Sequence, residues 1–130
     1  MQVTGLNHIN IVTSDMARTV EFYESLLGMK QQRIPMATAG FSGCWIADSQ
    51  GQPIIHVQAY NPERHGAERG GPTGKIDHIA LSCEGFEDTR RRCEALGIDH
   101  KVNDRQYGNL RQVFVTDPNE ISLELNFAED

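Results

Sequence analysis

The sequence predicts an α+β fold in which one unit is written twice, each copy running strand, helix, then three strands. Three observations carry this. The phrase Leu6-Asn7-His8-Ile9-Asn10-Ile11 returns as Ile76-Asp77-His78-Ile79-Ala80-Leu81, with the histidines 70 positions apart. Each phrase is followed by a polar stretch with helical spacing that ends in Leu-Gly, at Leu27-Gly28 and Leu96-Gly97. Beyond each Leu-Gly lie short β-branched segments separated by Gly, Pro, Asn and Asp. Self-similarity at a fixed offset marks a duplicated supersecondary unit.

In the first copy, Leu6 to Val12 alternates as a strand does, with Ile9 and Ile11 on one face and Leu6, His8, Asn10 and Val12 on the other. The Ile face is expected under a helix, and the mixed His8 face suits a ligand-lined cavity. Thr13-Ser14-Asp15 is a helix-start signal, with Ser14 or Thr13 as the expected N-cap. Met16, Val20, Tyr23 and Leu27, with Phe22 and Leu26 beside them, form an apolar stripe that reads as core. Gly28 is expected to end the helix in a left-handed cap. Strands are expected near 29–35, 41–48 and 53–60. In the last, Ile55, Val57 and Ala59 share one face, and His56, Gln58 and Tyr60 the other.

Asn61 to Lys75 is polar and rich in Gly and Pro, and reads as a linker loop that could serve as a lid. His65 lies in it. The second copy opens at Ile76–Cys83, with His78, Ala80 and Ser82 opposite Ile79 and Leu81. Its helix is expected from about Phe86 to Leu96, with Phe86, Cys93 and Leu96 inward, and Gly97 as the stop. Strands are expected near 98–102, 110–116 and 121–127, the last two joined by a turn at Asp117-Pro118-Asn119. On the final strand Ile121, Leu123, Leu125 and Phe127 form the apolar face, and Glu124 stands opposite with Ser122 and Asn126.

A chain of 130 residues is expected to fold as one domain, with modules at about 1–61 and 76–130 and the linker at 62–75. The formal net charge of −6 argues against a nucleic-acid surface, and Arg90-Arg91-Arg92 reads as a solvated helix face. Three cysteines without CxxC spacing fit reduced thiols in a cytoplasmic protein. No apolar run approaches the ~20 residues of a membrane span, so no membrane partner is expected.

Each copy carries one metal-capable side chain on its first strand and one on its last. The pairs are His8 with His56 and His78 with Glu124, separated by 48 and 46 positions. Each lies opposite its strand's aliphatic face. Imidazole and carboxylate are ligands for divalent first-row metals, and two His with one carboxylate leave coordination positions open for chemistry. Taken singly, each would be an ordinary solvated strand residue. Their matched positions in a duplicated unit point to a shared metal site.

These residues resemble the vicinal oxygen chelate superfamily, which holds glyoxalases, extradiol dioxygenases, fosfomycin-resistance enzymes and bleomycin-resistance proteins. The resemblance covers nearly the whole chain. It rests on the two strand-His openings, on Phe22-Tyr23 before Leu27-Gly28, and on Phe114-Val115 leading through Asp117-Pro118 to Leu123-Glu124-Leu125. It implies tandem βαβββ modules forming a cupped mixed β-sheet around a divalent metal, in a homodimer. The family's metal positions fall on His8, His56, His78 and Glu124, reducing to His8, His78 and Glu124 where the fourth protein ligand is lost. Four positions depart from particular branches. His56 replaces the glutamate base of glyoxalase I, and Val12 its arginine. Phe114 replaces the dioxygenase tyrosine, and Asn10 the threonine of fosfomycin enzymes. Glu120 takes the place of a turn glycine, a turn that Asn119 is expected to rescue by adopting positive φ.

The expected function is a divalent-metal enzyme (Fe, Mn, Ni, Co or Zn) acting on a small substrate with vicinal oxygens, by lyase, isomerase or dioxygenase chemistry. His56 and Tyr60 are the candidate catalytic groups, His56 serving as ligand or as base. Asn10, Gln58, Tyr107 and Arg111 are the candidate substrate contacts. The competing reading is a drug-sequestering or sensing protein that binds a small molecule without catalysis. A purely structural metal in a closed four-ligand site is the third.

Overall fold

The computed structural model describes residues 1–34, 42–68, 70–71, 73–106 and 108–128. They divide into two units, Met1–Glu68 and Arg69–Asp130. Unit 1 contains β1 (Ile9–Thr13), α1 (Met16–Ser25), β2 (Lys30–Arg33), β3 (Gly43–Ala47), β4 (Pro53–Ala59) and the short α2 (Pro62–His65). Unit 2 contains β5 (Ile79–Cys83), α3 (Phe86–Ala95), β6 (Lys101–Asp104), β7 (Arg111–Thr116) and β8 (Ser122–Phe127). Each unit forms a mixed four-stranded sheet of the same topology, ordered β1-β4-β3-β2 in one and β5-β8-β7-β6 in the other. In both, the first strand runs parallel to the last, and the remaining pairs are antiparallel. The duplicated α+β reading therefore matches each unit.

The core of each unit lies on the helix-facing side of its sheet. In unit 1, Tyr23, Leu26, Ile46, Ile55 and Val57 are all but fully buried, and α1 packs on β2, β3 and β4. In unit 2, Val113, Leu123, Leu125 and Phe127 are buried, and Phe86 meets Phe127 edge-on at 5.5 Å. The buried threonines of the two helices occupy matching places. Thr19 Oγ1 donates to the Asp15 carbonyl at 2.8 Å, and Thr89 Oγ1 to the Gly85 carbonyl at 3.0 Å. A hydroxyl bonded to its own helix can be buried at little cost.

Gly28 and Gly97 do end the helices with positive φ, 65° and 64°. After Gly97, the Ile98 N–H returns to the Cys93 carbonyl at 2.8 Å, which satisfies an orphan carbonyl of the last turn. Several expectations are corrected. Asp15, not Ser14 or Thr13, caps α1. Its backbone is non-helical (φ −137°, ψ 82°), and its carboxylate accepts from the Arg18 N–H at 3.0 Å. Leu96 is 47% exposed because the helix ends at Ala95 and the cap turn carries it off the inward stripe. Asn119 is not the positive-φ residue of the last turn. Glu120 is, at 64°, while the Asp117 carboxylate accepts from the backbone of both Asn119 and Ile121. The linker is not simply a loop, since Pro62–His65 makes one helical turn capped by Asn61. No helix among the described residues is long and apolar enough to cross a membrane.

Candidate functional site

The hydrogen-bonded strands begin at Ile9 and Ile79, so His8 and His78 each sit one residue before their strand rather than within it. Each is tied to the residue before it. His8 Nδ1 meets Asn7 Oδ1 at 2.6 Å, and His78 Nδ1 meets Asp77 Oδ2 at 2.8 Å. In His8 the oxygen acceptor at Nδ1 places the neutral ring's proton there and leaves a lone pair on Nε2, the form in which imidazole binds metals. The local cause is the repeated polar residue before each histidine.

In unit 2 the Ala80–Glu124 pairing of β5 with β8 sets Glu124 beside the chain entering from His78. His78 Nε2 lies 3.1 Å from Glu124 Oε2. The hydrogen bond to Asp77 chiefly raises the His78 pKa; burial opposes it, and the Glu124 and Asp77 charges add to the rise. The other Glu124 oxygen is held from below. Gln112 Nε2 donates to Glu124 Oε1 at 2.7 Å and to Asn126 Oδ1 at 2.9 Å, while Gln112 Oε1 accepts from Asn103 Nδ2 at 2.7 Å. Register explains the ladder, because Asn103, Gln112 and Asn126 are cross-strand partners on three adjacent strands. Gln112 and Asn103 are buried with all three of these bonds made.

In unit 1 the register places Trp45, His56 and Asn10 side by side across β3, β4 and β1. Trp45 stacks on His56 with ring centroids 4.4 Å apart and planes 18° from parallel. It meets His8 edge-on at 5.0 Å, and the two histidine rings are 6.4 Å apart. Asn10 Nδ2 and Gln58 Nε2 both approach His56 Nδ1 at 3.4 Å. Burial first, and the His8 ring second, hold the His56 pKa below the ordinary histidine value. His8, Asn10, His56 and Gln58 are thus gathered in one unit, and His78 and Glu124 in the other.

Two expected site residues are engaged in contacts within their own units. Arg111 lies on the opposite face from Glu124. Its guanidinium lies 3.7 Å from the Phe86 ring centre and pairs with Glu87 at 2.7 Å and Asp104 at 2.9 Å, committing it to α3. Strand alternation then puts its neighbour Gln112 on the Glu124 face. Tyr60 donates its hydroxyl to the Gly66 carbonyl at 2.5 Å and lies over His65, so it closes the α2 turn. Tyr107 lies outside the described residues. An open depression of about 840 Å³ lies along α1 and β2 between Met16 and Gln31, on the helix side of the sheet and away from His8 and His56.

Sequence reasoning missed Trp45, Gln112, Asp77 and Asn7. The signal for Trp45 was present: with Cys44 and Ile46 as the buried positions of a strand, Trp45 had to share the opposite face with His56. The basic triplet Arg90–Arg92 is spent on ion pairs with Glu87 and Asp88 within α3.

Residues 5–125 match the Glyoxalase/Bleomycin resistance protein/Dioxygenase superfamily. A curated relative, Glyoxylase I 4 of Arabidopsis thaliana, is 26% identical over 127 residues, covering 96% of this chain and 71% of the relative. Among solved structures, a glyoxylase/bleomycin resistance protein/dioxygenase domain from Frankia sp. EAN1pec is similar at a TM-score of 0.76 and 16% identity, over 99% of this chain and 95% of that one. The fosfomycin resistance protein FosX from Listeria monocytogenes is similar at a TM-score of 0.68 and 18% identity, over 95% and 91%. The two βαβββ units and the match along nearly the whole chain agree: this protein belongs to the Glyoxalase/Bleomycin resistance protein/Dioxygenase superfamily.

Proposed function

We propose that the protein is a divalent-metal-dependent enzyme acting on a small substrate with adjacent oxygens, with His8, His78 and Glu124 as the metal-holding residues. The observation that carries this is the His78–Glu124 pair. Two ligands at ~2.1 Å from one metal, at tetrahedral to octahedral angles, stand about 3.0–3.4 Å apart. The 3.1 Å between Nε2 and Oε2 fits that spacing. Both outer atoms are already fixed, Nδ1 by Asp77 and Oε1 by Gln112, as metal ligands usually are. His8 repeats the arrangement through Asn7. Among the described residues, no three His, Cys, Asp or Glu side chains are grouped closely enough to hold an ion by themselves. The support is therefore the donor chemistry and the oriented lone pairs.

A bound metal with open positions would polarise both oxygens of the substrate and stabilise the charge that develops on them. The chain's own residues do the rest. Gln112 keeps the Glu124 carboxylate turned toward His78. The Trp45 indole walls the His56 face, and Asn10 and Gln58 present amides there. The choice among isomerisation, epimerisation, group addition and ring cleavage turns on which metal and which substrate are found. Homodimer formation and a cytoplasmic location belong to the same proposal, the latter supported by free Cys44, Cys83 and Cys93.

The test is elemental analysis of the purified protein, beside His8→Ala, His78→Ala and Glu124→Ala. Stoichiometric metal abolished by each change supports the reading. Iron would direct assays to ring cleavage, and nickel, zinc or cobalt to isomerase and lyase substrates. No metal after reconstitution, with variants matching wild type, would overturn it. The second reading, binding without catalysis, is favoured only by the Trp45 wall, and would show as ligand quenching of Trp45 fluorescence in metal-free protein.

A further inference from the structure

We infer that His65, in the α2 turn, is a positioning residue that works through Gln58 to hold His56 with its proton on Nε2, which withholds His56 from the metal. The Asn61 backbone N–H can only donate, and it points at His65 Nδ1 at 3.0 Å. Neutral His65 therefore carries its proton on Nε2. That nitrogen lies 3.1 Å from Gln58 Oε1 and donates to it. With its oxygen so engaged, Gln58 must turn its NH₂ toward His56 Nδ1, at 3.4 Å. The Asn10 NH₂ approaches the same nitrogen at 3.4 Å. An amide nitrogen has no lone pair to offer, so His56 Nδ1 accepts and the ring proton sits on Nε2.

The turn is built to keep His65 in place. Its ring lies against Tyr60 at 6.1 Å, 27° from parallel, and the Tyr60 hydroxyl closes the turn on the Gly66 carbonyl. The consequence separates three histidines that are alike in sequence. His8, with an oxygen at Nδ1, presents a lone pair from Nε2, while His78 stands between the Asp77 carboxylate at Nδ1 and the Glu124 carboxylate at Nε2. His56, with two NH₂ groups at Nδ1, carries its proton on Nε2 instead. That proton occupies the nitrogen a metal would need and withholds His56 from it. The role toward the metal rests on the function proposed above, whereas the tautomer stands on unit 1 alone.

The test is long-range ¹H–¹⁵N correlation of imidazole nitrogens in the ¹⁵N-labelled, chelator-treated full chain, at about pH 8.5 where histidine is neutral. His56 and His65 are expected as Nε2–H, and His8 as Nδ1–H. In Gln58→Glu the carboxylate can only accept, so His56 is expected to invert to Nδ1–H. In His65→Ala, with Gln58 free to turn, the His56 nitrogens should move to averaged positions, while the backbone amide spectrum shows the fold retained. On adding Zn²⁺, His56 should keep Nε2–H while the His8 and His78 Nε2 signals shift. Wild-type His56 as Nδ1–H, no inversion in Gln58→Glu, no change in His65→Ala, or zinc bound through His56 would each overturn the inference. A protein that binds no zinc but shows the metal-free pattern would sink the metal site and leave the tautomer assignment intact.

Discussion

Replacing Gln112 by Leu probes the ladder under Glu124 without opening a cavity. The side chain is 9% exposed and its neighbour Asn103 5% exposed, so water cannot freely take over the lost bonds. Three are removed: one to Asn103, one to Asn126 and one to the Glu124 carboxylate. Two neutral bonds at about 1 kcal/mol and one charged bond at about 2 kcal/mol give a gross loss of about 4 kcal/mol. Burying the leucine returns about 1–2 kcal/mol, for a net destabilisation of about 2–3 kcal/mol. That corresponds to a fall in Tm of roughly 10 °C for a chain of this size. Urea unfolding of metal-free protein gives the free energy from the midpoint, with the slope checking that the unfolded state is unchanged. Gln112→Glu adds a sign test. It sets a second carboxylate against Glu124, so its native state binds a proton more readily than its unfolded chain, and its deficit at neutral pH should shrink as the pH falls toward about 4–5. A Gln112→Leu protein within about 0.5 kcal/mol of wild type would refute the claim that the ladder is a buried, satisfied network.

Other outcomes follow from the same geometry. Leu125→Ala, at a fully buried site, should cost about 2–5 kcal/mol in urea unfolding, whereas Leu96→Ala at the exposed helix end should cost under about 0.5 kcal/mol. In metal-free protein the two site histidines should pull stability in opposite directions with pH. The raised pKa of His78 contributes stability that is present below the ordinary histidine value of about 6.5 and lost as pH rises through its folded value. The lowered pKa of His56 penalises the fold only as pH falls below about 6.5, so unfolding of wild type against His78→Gln and His56→Gln across that range should show opposite slopes. Trp45 is the chain's one tryptophan and stacks on His56, so its fluorescence should fall with a midpoint below the ordinary histidine value, and that transition should vanish in His56→Gln. Burial pushes the Cys83 thiol up to about 11 and raises Cys44 and Cys93 as well, so a disulfide reagent near neutral pH should label the native protein slowly and three thiols rapidly in denaturant.

The duplicated fold was legible in the sequence because its signals are local. Alternation in Ile9–Thr13 and Ser122–Phe127, helical spacing from Val20 to Leu26, and the glycines that stop the helices each act over a few residues, and the chain states them twice. Alternation also put His56 and Glu124 on the faces where they lie. Where the sequence misled, a choice between near-equivalent local options was settled by contacts. Asp15 took the cap from Ser14. Glu120 took the strained turn position from Asn119 because Asp117 binds the backbone on both sides of it.

The partnerships at the site were decided only by strand register, which brings together residues far apart in the chain. Whether Arg111 or Gln112 faced Glu124 could not be read from two adjacent polar residues. The Phe86 ring and the Glu87 and Asp104 carboxylates drew Arg111 to the helix side and left Gln112 to the ladder. Trp45 reaches His56 because β3 and β4 pair in the register that sets them opposite. His65 reaches Gln58 because Pro62–His65 coils where a loop was expected. The sequence by itself determined the duplicated α+β unit and the strand faces on which His56 and Glu124 stand. The tertiary structure decided which lone pairs and protons those side chains present, because hydrogen-bond direction is set by partners that only folding brings within reach.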